Sequence, residues 1–558
     1  QDLINDKKID YLIKPDGKTR INLKRFRQGT KLIYDDVIIR DNNRIVIKNN
    51  KEVLKEGDQL ERNGQILEKI IPSDRIYKIA KGWIVERKLE NKDYVLLNRQ
   101  PTLHKASMMA MQVKIKPYKT IRMNLAITKP FNADFDGDEM NIHTAQTLDS
   151  QVELKHLSAA QWNIISSQSS KPNMAIVQDS LLGAYRMTLG WEKITKAQYF
   201  NIALKLNLEG CILTKIQHIR KILKEKGKKI QAFNGKGLIS LFLPEDLNFE
   251  KKNDVNKDEP IVKIWRGVLY EGTFDKSIIG ASHNSLIQII HKEYGPLQAS
   301  YFIDCMQFVT NEWNLIKIFS IGLGDCLVSS KKKQEEIQDV IKKSYIEADG
   351  IKNTTNHSSI RELRVNATLN KAKDIGLRIA KDSFSEDNNF LSTVKSGSKG
   401  DFFNIAQITG LLGQQNLRGA RVPLLLNNGK RSLPHYPFEN ISPEMEYESR
   451  GFIASSFIEG LNPREFYFHA MSGREGISDT AMGTATSGYM QRRIIKLTED
   501  IKIQYDGTVR DVNGHIYQVI YGENDLDPTC TVKVGKDQEF CDMGRLVNKL
   551  NMLHELKK

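Results

Sequence analysis

The chain has 558 residues, of which 40% are hydrophobic and 27% are charged, and its net charge is +15 at pH 7. That length allows about three or four ordinary domains, and the hydrophobic content is enough for packed cores. The positive charge favours a polyanionic partner, because Lys and Arg supply most non-specific affinity for nucleic acid. No apolar run reaches the about 18 residues of a membrane span, so we expect a soluble protein without a membrane partner.

The cysteines favour a reducing compartment. Their number is odd and no Cys-x-x-Cys pair occurs, which argues against a disulfide framework and against a cysteine-rich zinc site in this segment. No signal peptide is visible either, so we expect an intracellular protein. The five cysteines are Cys211, Cys305, Cys326, Cys530 and Cys541.

Residues 1–145 are predicted to be rich in β-strands. Short alternating or apolar runs, such as Arg44–Lys48 and Met111–Ile115, are separated by turn signals such as Pro15-Asp16-Gly17.

The stretch Asn132–Asn141 carries the chemistry of this region. Asp134, Asp136 and Asp138 stand at every second position, with Gly137 between the last two. Like charges at close range repel one another, so acids placed together in this way predict a bound cation. In an extended segment alternate side chains point the same way, and a glycine lets the chain tighten. Hard carboxylate oxygens suit Mg²⁺ shared with a substrate phosphate, which predicts a Mg²⁺ site for phosphoryl chemistry.

Two other interpretations of the acidic stretch compete with this one. An EF-hand Ca²⁺ loop needs Gly at its sixth position and Glu at its twelfth, but Glu139 and Ala145 occupy those places. A solvated acidic turn is the second alternative, and the apolar Phe135 and Met140 that interrupt the acids argue against it.

Two further motifs lie on either side of the acidic stretch. Asn98–Lys105 reads Asn-Arg-Gln-Pro-Thr-Leu-His-Lys, and Gly473-Arg474-Glu475-Gly476 is followed by Gln491-Arg492-Arg493. Together with Asn132–Asn141 they resemble, in the same order, signatures of the largest subunit of multisubunit DNA-dependent RNA polymerases. Glu139-Met140-Asn141 resembles the eukaryotic, archaeal and large-DNA-virus form rather than the bacterial one. The resemblance covers nearly the whole chain.

The resemblance implies a mixed α/β fold of several regions. Residues 1–145 would hold a double-psi β-barrel whose loop presents the aspartates. The reaction would be nucleotidyl transfer, in which the RNA 3′-hydroxyl attacks the α-phosphate of a nucleoside triphosphate and pyrophosphate leaves. By resemblance Asp134, Asp136 and Asp138 are catalytic and hold one tightly bound Mg²⁺, and a second Mg²⁺ arrives with the nucleotide.

The resemblance also assigns nucleotide-binding positions. Arg99 and Asn132 match residues that read the sugar hydroxyls, and Pro101 matches one that fixes the backbone beneath the base. A guanidinium and an amide suit a 2′-hydroxyl, because it both donates and accepts hydrogen bonds. Arg378 matches a basic position near the incoming triphosphate, and Lys399 matches one beside the phosphate path.

Residues 146–330 match the pore region, which lines the channel by which nucleotides enter. Ser166–Asp179 matches its start and Phe319–Asp325 its end. Residues 190–260, rich in Lys, Asn and Asp, are predicted to be loops that carry no chemistry.

Residues 331–455 match the funnel helices. The pattern predicts one helix over Lys331–Glu347 and another over Ile360–Ser383, joined by a polar link over Gly350–Ser359.

Residues 456–558 match the bridge helix and the start of the cleft domain. A helix is predicted from Pro463 to about Asp500, with Glu465 near its start and Lys496 near its end, which complements the helix dipole. At about 1.5 Å per residue it would span roughly 55 Å, enough to cross a nucleic-acid cleft.

Glycines in this predicted helix need a reason, because each costs about 1 kcal/mol relative to Ala. Close approach of a template base, or bending, would explain them. The glycines are Gly473, Gly476, Gly483 and Gly488. By resemblance, the positions that contact the template are Thr484, Ala485, Gly488, Tyr489 and Arg492. Gly483 departs from the family, in which Lys or Arg is usual there.

The resemblance implies partners: the second-largest subunit and other polymerase subunits, a DNA template, an RNA product and nucleoside triphosphates. Activity would require the second-largest subunit and a trigger loop. The chain starts with Gln1, and the family's zinc-binding clamp and trigger loop are not recognised in it. We therefore interpret it as a fragment, a split subunit or one piece of a longer chain.

The Lys-, Ile- and Asn-rich composition suggests an AT-rich genome. That favours a large DNA virus, with the protein in the host cytoplasm, viral factory or virion; an archaeal cytoplasm comes next, and a eukaryotic nucleus is the third case. A single-chain RNA-dependent RNA polymerase has a similar aspartate loop but is not expected to carry the other two motifs. A non-catalytic nucleic-acid-binding scaffold is the remaining alternative, and the intact aspartates argue against it.

Overall fold

The computed structural model describes most of the chain. The described residues are 9–23, 32, 35–40, 43–47, 54, 57–67, 81–206, 208, 210–228, 232–254, 259–327, 331–354, 357–381, 384–385, 387–437, 439, 441–529, 531–534, 537–540 and 543–556. The chain forms two compact units, one of residues 1–95 and 111–119, the other of residues 96–110 and 120–558. None of the described helices combines the length and the apolar character that crossing a membrane requires.

The first unit contains two antiparallel sheets. The strands are β1 Ile9–Ile13, β2 Arg20–Asn22, β3 Val37–Arg40, β4 Asn43–Val46, β5 Gln59–Arg62, β6 Gln65–Ile66 and β7 Ile84–Arg87. The first sheet has the strand order β2–β1–β7 and the second the order β4–β3–β5–β6. Their small cores are apolar, with Ile9 and Leu12 buried in the first sheet and Ile38 and Leu60 in the second.

A third sheet, in the order β10–β8–β9, flanks the acidic stretch. Its strands are β8 Tyr94–Asn98, β9 Met108–Gln112 and β10 Asn141–Thr144, and a short helix, α1 Thr128–Phe131, precedes the acids. The predicted strand-rich character of residues 1–145 is confirmed. Among the described residues these sheets are open and none closes into a barrel, so the double-psi β-barrel stays a prediction.

Helices and short strands follow from residue 148 to residue 326. The helices are α2 Leu148–Glu153, α3 Gln178–Leu189, α4 Lys196–Lys205, α5 Ile212–Glu225, α6 Gly235–Ser240, α7 Lys276–Ile279, α8 Leu286–Tyr294 and α9 Pro296–Lys317. The strands are β11 Ile165–Ser166, β12 Lys171–Pro172, β13 Phe249–Lys251, β14 Val262–Trp265 and β15 Val268–Glu271. In α9, Phe302, Met306, Val309 and Trp313 are buried at helical spacing, which makes this helix the centre of the region.

The predicted loops of residues 190–260 are wrong, because α4, α5, α6 and β13 lie there. Thr195 and Gln198 form a capping box that starts α4. In α5, Ile216, Ile219 and Leu223 are buried on one face, while Lys221 and Lys224 are exposed. Abundant polar residues hid this pattern, although the period was present in the sequence.

Two long helices then pack against each other. They are α10 Lys331–Thr354 and α11 Ser358–Lys381. Their shared core includes Tyr345 and Val365, together with Tyr447, whose ring stacks on Tyr345 at 4.9 Å between centroids. The predicted helices are confirmed, but the predicted link over Gly350–Ser359 is wrong because α10 continues through Gly350. Packing of the buried Ala348 outweighs the cost of about 1 kcal/mol for a helical glycine.

Short elements connect this pair to the longest helix. They are α12 Asn389–Ser396, α13 Phe402–Thr409, β16 Gly413–Gln414, β17 Asn416–Leu417, β18 Ala420–Arg421, α14 Pro443–Ser449 and β19 Phe452–Ile453. The helix α15 Pro463–Thr498 follows and confirms the predicted helix there. Beyond it lie β20 Lys502–Ile503, β21 Val509–Arg510, β22 Ile516–Gln518, β23 Thr531–Val534, β24 Asp537–Phe540 and α16 Met543–Glu555. The mixed α/β fold class is thus confirmed, whereas the division into regions 1–145, 146–330, 331–455 and 456–558 stays a prediction.

Candidate metal centre

The loop that carries the aspartates starts at a helix end. Phe131 is the last residue of α1, and its side chain is 2% exposed and anchored in the core. Asn132 follows in the left-handed conformation, with φ +49°, and its N–H donates to the Lys129 carbonyl at 3.0 Å. Asparagine tolerates this conformation better than most residues with a side chain. The chain therefore turns sharply out of the core at Asn132 and exposes the acids that come next.

Asp134, Asp136 and Asp138 converge in this loop. All are exposed, and one carboxylate oxygen from each lies within 4.8 Å of the others. Gly137 has φ +126°, a backbone conformation that residues with a side chain rarely adopt. The expected role of this glycine in tightening the loop is thus visible in its backbone angle.

The pKa values of two of the aspartates are shifted in opposite directions. The pKa of Asp134 is raised, first by its hydrogen bond with Asp136 and then by burial and by the charges of Asp136 and Asp138. The pKa of Asp138 is lowered, chiefly by the hydrogen bond from Arg99. Negative charge that is only partly compensated is what a cation site requires before the cation binds.

The residues fit a divalent cation. The donor set consists of carboxylate oxygens, which Mg²⁺ prefers. One oxygen from each carboxylate lies within 4.8 Å of the other two, so a single ion could be shared by all three. Exposure of the three side chains leaves room for water and for a substrate phosphate at the same ion.

Arg99 joins the strand β8 to the aspartate loop. Its Nε donates to Asp138 Oδ2 at 2.7 Å, and its Nη1 lies 3.5 Å from the Phe131 carbonyl oxygen. The same Asp138 oxygen accepts the backbone N–H of Asp134 at 3.1 Å. The structure therefore brings Arg99, Asn132 and the aspartates together. The sequence offers a surface salt bridge as the alternative to a sugar-binding role for Arg99, but it does not identify Asp138 as the partner.

Comparison with known proteins gives matches along most of the chain. Four family models, described as RNA polymerase Rpb1 domains 2, 3, 4 and 5, match residues 30–160, 163–326, 337–453 and 460–548 respectively. A probable DNA-directed RNA polymerase II subunit RPB1 homolog of Invertebrate iridescent virus 6 is 47% identical over 544 residues. The DNA-directed RNA polymerase II subunit RPB1-B of Trypanosoma brucei brucei is 38% identical over 480 residues.

The chain belongs to the family of largest subunits of multisubunit DNA-dependent RNA polymerases. The family recognised from the three motifs is thereby confirmed, and the viral relative agrees with the large-DNA-virus type. The matches cover 93% and 83% of this chain but 51% and 26% of the viral and trypanosome proteins. The chain thus spans about half the length of the viral relative and about a quarter of the other.

The remaining predicted nucleotide-binding residues are Pro101, Arg378 and Lys399. Pro101 is exposed just after Arg99, and its peptide bond with Gln100 is cis. Arg378 is exposed on α11, and Lys399 is exposed in the turn after α12. Among the described residues, neither basic side chain makes a hydrogen bond or ion pair with the aspartate loop. Their roles stay predictions.

A group of lysines around Lys129 was missed in the sequence. The pKa of Lys129 is lowered, first by burial and then by the positive charges of Lys276 and Lys171. The turn that carries Lys399 passes directly over Lys276, because a Cβ added to Gly397 would lie 2.7 Å from Lys276 Cβ. These lysines come from separate parts of the chain, so no local motif announces them.

On the long helix α15, the predicted template-contacting residues share an exposed stretch. Thr484, Ala485, Gly488, Tyr489 and Arg492 are all exposed. A Cβ added at any of the four helix glycines would meet nothing within 4 Å. The glycines are therefore not required by packing within the described chain, and both predicted explanations, approach of a template base and bending of the helix, stay predictions.

Proposed function

We propose that this chain provides the catalytic metal site of a DNA-dependent RNA polymerase, which transfers nucleotides from nucleoside triphosphates to the RNA 3′ end under the direction of a DNA template. The convergence of Asp134, Asp136 and Asp138 in one exposed loop is the observation that carries the proposal. In the reaction, a bond forms between the 3′-oxygen and the α-phosphorus, and the bond from that phosphorus to the bridging oxygen breaks to release pyrophosphate.

The three aspartates would hold the tightly bound Mg²⁺, with a second Mg²⁺ entering on the nucleotide. When bound, such ions activate the attacking oxygen and stabilise the leaving group. Arg99 and Asn132 would bind the sugar hydroxyls. Arg99 lies at the aspartate loop, where it contacts Asp138 and the Phe131 carbonyl. Lys129, on the helix that precedes the loop, feels the charges of Lys171 and Lys276, and this group of positive charges would favour a triphosphate.

The wider architecture follows the same proposal. The region of residues 1–145 would complete a double-psi β-barrel, residues 146–330 and 331–455 would form the pore and funnel, and α15 would act as the bridge helix. Thr484, Ala485, Gly488, Tyr489 and Arg492 would then face the template. The partners would be the second-largest subunit, the other polymerase subunits, DNA and RNA, and activity would appear only in the assembled enzyme.

The test is primer extension on a DNA template by the assembled polymerase, with wild type compared with Asp136→Asn. We expect the rate to fall by several orders of magnitude, while assembly and template binding are unchanged. The matched control is Asp149→Asn, which removes a neighbouring exposed carboxylate outside the loop. Undiminished activity of Asp136→Asn would place the chemistry in another chain and favour a scaffold role for this one.

A further inference from the structure

Asp138 offers its two carboxylate oxygens unequally. In the part of the chain that the structure describes, both N–H groups that donate to this carboxylate end on Oδ2, one from Arg99 Nε at 2.7 Å and one from the backbone of Asp134 at 3.1 Å. An oxygen that already accepts two hydrogen bonds has little electron density left for a cation. The carboxylate is also held in one orientation, because its two donors come from different parts of the chain.

The ion pair is sheltered more than the loop around it. The Arg99 side chain is 20% exposed and the Asp138 side chain 21% exposed. A charge-assisted hydrogen bond at this distance is short and strong compared with a neutral one. In the part of the chain that the structure describes, Arg99 Nη2 has no hydrogen-bond partner. The guanidinium can therefore keep Asp138 and still bind another group.

We propose that Arg99 is a positioning residue for the metal site: it retains Asp138 Oδ2, so that Asp138 binds the cation through Oδ1 alone. This inference rests on the proposed function, because it assumes a cation at the aspartates. Binding through one oxygen leaves a coordination position of the cation for water or for a substrate oxygen. A residue at the sugar site thereby determines how many positions remain open at the metal.

The ligand number can be measured without enzymatic activity. Mn²⁺ replaces Mg²⁺ as a paramagnetic probe, and the number of water molecules on bound Mn²⁺ is obtained by pulsed electron–nuclear double resonance on the full 558-residue chain. In Arg99→Met, both oxygens of Asp138 become available, so we expect one bound water fewer than in the wild type. Arg99→Lys keeps the positive charge beside Asp138, and the wild-type water number is expected.

Arg220→Met is the matched control, because Arg220 is exposed and lies over the Phe233 ring, away from the aspartates. Circular dichroism verifies that each variant is folded. The same water number in Arg99→Met, Arg99→Lys and wild type would overturn the proposal and leave Arg99 with a sugar-binding role only. Failure of the proposed function gives a different result. In that case either the wild type binds no Mn²⁺, or it binds Mn²⁺ and Asp136→Asn does not abolish the binding.

Discussion

The Arg421 guanidinium donates two hydrogen bonds to the Glu362 carboxylate, from Nε at 2.9 Å and from Nη2 at 2.8 Å. Arg450 Nη2 lies 3.4 Å from the same carboxylate. The Arg421 side chain is 4% exposed, whereas that of Glu362 is 40% exposed. One helix carboxylate thus neutralises a buried guanidinium on β18 and ties α11 to the segment that leads toward the long helix.

Glu362→Ala should destabilise the protein by about 1–3 kcal/mol, because a buried guanidinium loses its partner. The value lies below that of a fully buried pair, since water screens the exposed side of Glu362. The midpoint of urea unfolding measures the effect. Glu347→Ala, which removes an exposed glutamate from α10, should leave the midpoint nearly unchanged. Equal midpoints for both variants would contradict the role assigned to Glu362.

The same pair predicts a dependence of stability on pH. Burial by itself raises the pKa of Glu362, but the hydrogen bonds and charge of Arg421, with the charge of Arg450, outweigh it and lower the pKa below the ordinary 4.5. The stabilisation is therefore complete above the unfolded-state pKa and is lost as the pH falls through the lower folded-state pKa. The difference in melting temperature between wild type and Glu362→Gln should shrink as the pH falls from about 6 to about 3. A difference that stays constant would rule this linkage out.

Asn462 caps the long helix. Its side chain accepts the Glu465 N–H at 2.9 Å, and the Glu465 carboxylate accepts the Asn462 N–H at 3.1 Å. Asn462→Ala removes one half of this box and should cost about 1 kcal/mol. Hydrogen exchange of the first-turn amides of α15 should accelerate accordingly. Asn462→Ser, which retains a capping oxygen, should exchange like the wild type.

Gly488→Ala separates helix stability from function. An added Cβ meets nothing within 4 Å, so the helix of the chain alone should gain about 1 kcal/mol. If α15 lies against the template as proposed, the same methyl group should slow elongation by the assembled enzyme. Amide exchange measures the first effect and single-nucleotide addition the second. An elongation rate at or above that of the wild type would remove template approach as the reason for this glycine.

Gly137→Ala should weaken cation binding. The φ of +126° costs a residue with a side chain about 1–3 kcal/mol, which corresponds to roughly 5- to 150-fold in affinity if the loop relaxes. Titration of Mn²⁺, followed by electron paramagnetic resonance, measures the change. Gly64→Ala introduces similar strain at φ +79° in a remote turn and should leave the affinity unchanged. Equal affinities for wild type and Gly137→Ala would show that the glycine is dispensable to the site.

The candidate metal site and the long helix could be predicted because their causes are local. Asp134, Asp136 and Asp138 lie within a few residues of one another, so their repulsion, and the cation site predicted from it, follow from spacing alone. Pro463 in the first turn and Glu465 close behind it mark the start of α15 in the same direct way. Four matching family models agree with the motifs that these residues carry.

Other features depend on residues that are distant in the sequence, and only the tertiary structure decided them. Arg99 and Asp138 are 39 residues apart, and their hydrogen bond exists because β8 lies beside the loop. Lys129, Lys171 and Lys276 come from separate parts of the chain, yet their charges act on one another in the folded protein. The helix α10 runs through Gly350 because contacts with α11 outweigh a local penalty. Propensity and spacing act over a few residues, whereas packing sums contributions from the whole chain, and at these places packing prevails over local preference.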